Sequence, residues 1–113
     1  MTIIKSFPED MNKKIIYQLT MSPETRKMKD AKGTRLEVSA WCQYRDTDQD
    51  GNDRDVLAIL TPEGETYASN SPTFTDDFFK MVELFGPDGV DAIKVISGTS
   101  KAGREFITCA YAG

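Results

Sequence analysis

From Thr34 to Arg45 the chain alternates: Leu36, Val38, Ala40, Cys42 and Tyr44 fall on one side, and Arg35, Glu37, Ser39, Trp41, Gln43 and Arg45 on the other. A period of two over that length predicts one long β-strand with its apolar face buried. The second face is polar except for Trp41, the only tryptophan in the chain. Two readings of that ring stay open. It is either an exposed stacking surface or a ring covered by a second layer, the usual fate of tryptophan.

The same pattern places the other elements. Asp46–Asp53 is a polar turn, followed by strands over Asp55–Thr61 and Glu65–Ser69, so that three strands form an antiparallel meander. Ser71–Phe85 predicts a helix with Thr75 as its cap, Asp76 and Asp77 at its positive end, and Phe74 and Phe79 as a hydrophobic staple. Phe78, Met81, Val82 and Phe85 recur at helical spacing and face a core, and Gly86-Pro87 ends the helix. Two more strands, Asp91–Ile96 and Arg104–Tyr111, are joined by Ser97–Gly103. Upstream, residues 1–12 read as a loose arm; in Lys13–Thr20 the spacing of Ile15, Ile16 and Leu19 suits a helix beginning near Asp10, marginally preferred over the strand that Ile16-Tyr17 suits. Ser22-Pro23-Glu24 is a helix-start signal, and Gly33 ends the basic turn that follows it.

The order β-β-β-α-β-β is that of the OB-fold, a five-stranded, partly open barrel whose long first strand bends through both halves. The expected architecture is therefore mainly β with one or two helices in a single domain overall. Residues 33–113 form the OB-like barrel, and residues 1–32 a helical or irregular extension packed on the core. An α+β sandwich is the rival, because element order does not fix strand pairing.

Composition narrows the chemistry. A chain of 113 residues, 39% hydrophobic and 28% charged, can bury a core without disulfides or metal. No apolar run is long enough to span a membrane and the first ten residues do not read as a signal peptide, so a cytoplasmic setting is expected. Cys42 and Cys109 read as small core residues of predicted strands. Histidine is absent, which removes Ser-His-Asp and Cys-His catalysis and His-containing zinc sites. No constellation supports an enzyme, a cofactor or a metal.

The net charge of −4 hides an asymmetry: residues 1–35 sum to +4, residues 36–91 to −10 and residues 92–113 to +2. An acidic protein can still bind a polyanion if its two basic ends share a face, because local potential governs the encounter. Two motif-like stretches fail. Asp46, Asp48, Asp50 and Gly51 match a calcium loop, but Leu57 stands where the closing Glu belongs and the flanks are strands. Gly98 and Gly103 have phosphate-loop spacing, but Arg104-Glu105 replaces the required Lys-Ser/Thr and a strand follows. What survives is a Gly/Ser loop carrying Lys101 and Arg104. Trp41 and Tyr67, with Tyr44 as a weaker third, offer stacking faces. Arg35, Arg45, Lys94, Lys101 and Arg104 offer cations, and Gln43 lies beside them on the polar face. Aromatics to stack bases and cations to follow phosphates are the parts of a sequence-tolerant single-strand binder.

The strings TYASNSPTF and KVISGTSKAGREFITCAY resemble the single-stranded-DNA-binding proteins of tailed phages that infect Gram-positive bacteria. The resemblance runs from about Ile16 to the C-terminus. It implies an OB-like fold, coating of single strands during phage replication or recombination, a setting in the infected host's cytoplasm, and phage or host replication proteins as partners. The familiar bacterial single-strand binders end in an acidic tail, whereas this sequence ends at Tyr111-Ala112-Gly113. An open barrel edge could also pair with a second copy, giving a homodimer or higher oligomer. A reading of a different class is a small phage protein that binds and inhibits a host protein through its acidic middle.

Overall fold

The computed structural model describes residues 1–113. In chain order its elements are β1 (Thr2–Phe7), α1 (Lys13–Thr20), β2 (Arg26–Lys27), a 3-10 turn (Met28–Ala31), β3 (Arg35–Glu37), β4 (Ala40–Thr47), β5 (Asp53–Leu60), β6 (Thr66–Ser69), α2 (Pro72–Phe85), β7 (Ala92–Thr99) and β8 (Glu105–Tyr111). The strands form two open sheets, a five-stranded one in the order β1-β4-β5-β6-β2 and a three-stranded one in the order β3-β7-β8. The fold is mixed α/β with two helices, and the expected five-stranded barrel does not close. The reason lies at one edge: β6 takes the two-residue β2 as a parallel neighbour, and β8 pairs with β7 alone.

The long alternating stretch is two strands rather than one. Val38 N–H donates to Asp91 O in the smaller sheet and the next residue, Ser39, donates to Leu60 O in the larger, both at 2.8 Å. The chain thus changes sheets between adjacent residues, and the bend inverts the alternation. Leu36, Val38 and Trp41 all face one core although their numbers differ in parity. Past the bend Ala40, Cys42 and Tyr44 face a second core, closed by Leu19 and Ile15 of α1 together with Met11. Both faces of β4 are therefore covered along most of its length. The expected open polar face exists only toward its end, at Arg45 and Thr47.

Other elements shift for local reasons. Residues 1–12 are not a loose arm: β1 pairs antiparallel with β4 from Thr2↔Arg45 to Phe7↔Trp41. Helix α1 starts at Lys13 because Asn12 is its cap, its side chain accepting from Ile15 N–H at 2.9 Å. Ser22 makes a turn bond to Glu24 N–H at 3.2 Å, and the segment forms only the 3-10 turn, which buries Met28 and Ala31. Ser71 rather than Thr75 caps α2, with Pro72 at the first helical position, so Phe74 and Phe79 both lie inside the helix and form no staple. Strand β7 runs on to Thr99, past the expected end at Ile96, and shortens the Gly/Ser loop to a turn at Ser100–Arg104.

Cys42 and Cys109 are free and buried. Desolvation pushes the Cys42 thiol up to about 11 and Cys109 to about 12, the latter with a smaller push from the Asp77 charge. Neither forms thiolate at neutral pH, so a chromogenic disulfide reagent is expected to leave the native protein unlabelled and to titrate both thiols in denaturant. The linkage has a definite sign. The folded state holds these protons while the unfolded chain releases them near 9, so their stabilising effect is complete below pH 9 and is lost as pH rises toward 11–12.

Candidate nucleic-acid interface

An open groove of about 1050 Å³ runs where the N-terminal segment meets the last strand. One wall is β2 and the 3-10 turn, with Lys27, Lys29, Asp30 and Lys32; the other is the start of β8, with Glu105, Phe106 and Ile107. Its floor comes from Tyr44, Arg54, Val56 and Ala68 of the large sheet, and Ser69, Asn70 and Ser71 close the end at α2. The groove follows from the missing barrel closure, since it lies between the β6–β2 edge and β8. The burial of Met28 and Ala31 anchors the basic turn and keeps Lys27, Lys29 and Lys32 at the surface. The cations of the groove thus come from the N-terminal segment and Arg54, while Lys94, Lys101 and Arg104 of the basic C-terminal segment do not line it.

The charges in the groove are unequally engaged. Five of the fourteen Lys and Arg side chains make an ion pair within 4 Å: Arg26, Lys32, Arg35, Arg45 and Lys80. Lys27, Lys29 and Arg54 are not among them, so the groove presents three uncommitted cations. Lys32 Nζ instead donates to Glu105 Oε1 at 2.9 Å. That hydrogen bond, and then the Lys32 charge, hold the Glu105 carboxyl below its ordinary range. Phe106 is 39% exposed, and its ring lies over Gly98 on the neighbouring strand, where an added Cβ would meet Phe106 Cζ at 2.6 Å. Tyr44 is nearly buried, and desolvation, with the nearby Asp46 charge second, raises its phenol.

Of the nine residues singled out in the sequence only Tyr44, the weaker third stacking face, lines this groove. Trp41 is a core residue: it is 2% exposed, its Nε1–H donates to Pro87 O at 3.1 Å, and Phe78 and Phe79 meet it edge-on at 5.6 and 5.4 Å. The covered reading of that ring holds. Tyr67 is buried as well, with its hydroxyl donating to Glu65 at 3.0 Å and Arg26 lying 5.9 Å above its ring. Gln43 is half-buried on the Trp41 face, and Arg45 is paired with Asp55 at 2.9 Å. Arg35 donates to Ala112 O at 2.8 Å and stands across from Lys94 on the smaller sheet, where both are exposed. Lys101 and Arg104 are exposed at the turn before Glu105. Arg35 and Lys94 share the face of that sheet that carries Phe106.

Sequence reasoning passed over Lys27, Lys29, Arg54 and Phe106. The four cations within residues 26–32 were a visible signal, whereas nothing in the sequence showed that this segment abuts the last strand. The acidic β4–β5 turn lies outside the groove. Asp48 Oδ1 accepts from the backbone N–H of Asp50 and of Asn52, both at 2.9 Å, which folds the turn on itself. No group of three or more Cys, Asp or Glu side chains is placed to hold a metal ion, and no helix is long and apolar enough to cross a membrane.

The family model described as phage single-stranded DNA-binding protein, of the Phi29 type, matches residues 8–111. No curated protein and no solved structure matches the chain. Members of this family bind DNA and are not enzymes. A match over nearly the whole chain settles the kinship: the chain belongs to the Phi29 phage single-stranded DNA-binding protein family.

Proposed function

We propose that the chain holds single-stranded DNA in the groove between the basic 3-10 turn and β8, with Lys27, Lys29 and Arg54 on phosphates and Phe106 stacked on a base. The observation that carries this reading is that three cations without an ion-pair partner, Lys27, Lys29 and Arg54, line one open groove with an exposed aromatic at its rim. The strand continues past Phe106 onto the outer face of β7–β8, toward Lys94 and Arg35, with Lys101 and Arg104 flanking the path. The chain course supports an open relative of the OB-fold: one stretch bends through both sheets, two strands and a helix follow, and two strands finish. In this reading the protein protects single strands during phage replication or recombination in the cytoplasm of the infected host. Copies seated side by side would share one strand.

The test is a titration of fluorescently labelled oligo(dT) by anisotropy across a salt series. Each phosphate contact on a single strand contributes about 0.7 to the slope of log affinity against log salt. The wild type is expected to bind with a steep negative slope. Lys27→Gln/Lys29→Gln is expected to bind more weakly, with the slope shallower by about 1.4, that is, by two contacts. Equal slopes for the two proteins would place the DNA elsewhere.

A further inference from the structure

Two carboxylates line the proposed DNA path, Asp30 and Glu105, and only Glu105 has a cation drawn onto it. Glu105 opens β8, and its carboxylate takes Lys32 Nζ at 2.9 Å from the opposite wall of the groove. This is the only ion pair that joins the N-terminal basic segment to the last strand. Both side chains are more than half exposed, so water reaches the pair and it contributes little to stability. Its neighbours Lys27, Lys29 and Arg54 carry no such partner. We propose that Glu105 is an intramolecular competitor for phosphate: it occupies Lys32 in the free protein and must give it up when a DNA backbone enters the groove.

The proposal rests on the groove reading and adds a residue that sets affinity rather than makes contact. Two exposed opposite charges exchange partners readily, because neither the pair nor the phosphate contact is shielded from solvent. The exchange lowers the net attraction twice, once by neutralising Lys32 beforehand and once by leaving Glu105 next to the phosphates. The lowered Glu105 carboxyl keeps the competitor charged throughout the neutral range. The pair also spans the groove from the basic 3-10 turn to the start of β8.

A double-mutant cycle in the oligo(dT) salt series tests this, with Glu83→Gln on the exposed side of α2 as the control for loss of one negative charge elsewhere. Glu105→Gln is expected to bind about five- to tenfold more tightly than wild type at low salt, because Lys32 no longer has to leave a partner to reach phosphate and no carboxylate stays beside the backbone. Lys32→Gln alone is expected to change affinity less than twofold. In the Glu105→Gln background the same Lys32→Gln change should abolish the gain. If Glu105→Gln gains no more than Glu83→Gln, while Lys27→Gln/Lys29→Gln still weakens binding, the groove reading stands and the competitor role is wrong. If none of these groove variants moves affinity or slope, both fall together.

Discussion

Replacing Trp41 with alanine is expected to destabilise the native state by about 3–5 kcal/mol, read as a lowered urea midpoint, while leaving DNA contacts untouched in the protein that remains folded. The magnitude follows from where the ring sits. At 2% exposure it fills space between β4 and α2, with two edge-on aromatic partners and the Nε1–H bond to Pro87 O. Alanine would leave a cavity that the surrounding strands close only in part, and it would strand the Pro87 carbonyl without its donor. A domain of this size has about 5–15 kcal/mol in total, so the loss is a large fraction of it. Trp41→Phe keeps most of the volume and is expected to cost about 1–2 kcal/mol, the usual penalty for an unpaired buried acceptor plus a small packing loss. The same geometry governs the fluorescence. Trp41 emission should be blue-shifted in the native state, shift red on unfolding, and stay nearly constant as oligo(dT) saturates the protein. Strong quenching on binding would mean that α2 lifts off the ring.

The fate of Trp41 shows how far the sequence carried the fold. Alternation marked residues 34–45 as extended, though as one strand where the chain forms β3 and β4, and the turn residues around 46–53 and 61–64 correctly divided the meander. What alternation could not show is a change of sheet. At Val38-Ser39 two adjacent backbone donors reach different strands, and the phase of inward-facing residues flips, so a pattern read as one buried and one open face became two buried faces. The cover for one face comes from α1, whose residues are far away in sequence, and its arrival depends on tertiary packing that periodicity does not encode. The groove was hidden for the same reason. Lys27 and Lys29 read as a solvated basic turn, Arg54 as part of an acidic hairpin and Phe106 as one residue of an ordinary strand; only the pairing of β2 with β6, and the failure of β8 to do so, brings them to one place. Helix α2 was legible almost to the residue because Ser71-Pro72 and Gly86-Pro87 are local signals.

Phe106→Ala is expected to reduce affinity for oligo(dT) about ten- to hundredfold without changing the salt slope, since loss of one base-stacking aromatic costs about 1–3 kcal/mol and no counterion is involved. That signature separates it from the lysine variants, which change slope and affinity together. The fold should tolerate the change, because the ring is 39% exposed and packs over Gly98 rather than in either core. Gly98 supplies a second, independent handle on the same ring. A methyl group at residue 98 would sit 2.6 Å from Phe106 Cζ, so Gly98→Ala must swing the ring off its seat. Gly98→Ala is therefore expected to fold, to weaken binding in the same direction as Phe106→Ala but by less, and to have no further effect when Phe106 is already alanine. Phe106→Tyr keeps an aromatic face and should bind close to wild type, whereas Phe106→Leu keeps apolar bulk and should not. If leucine restores full affinity, the residue acts as apolar cover at the groove rim and the base stacks elsewhere; if tyrosine alone restores it, the π-face over Gly98 is the platform on which the strand turns from the groove onto the outer face of β7–β8.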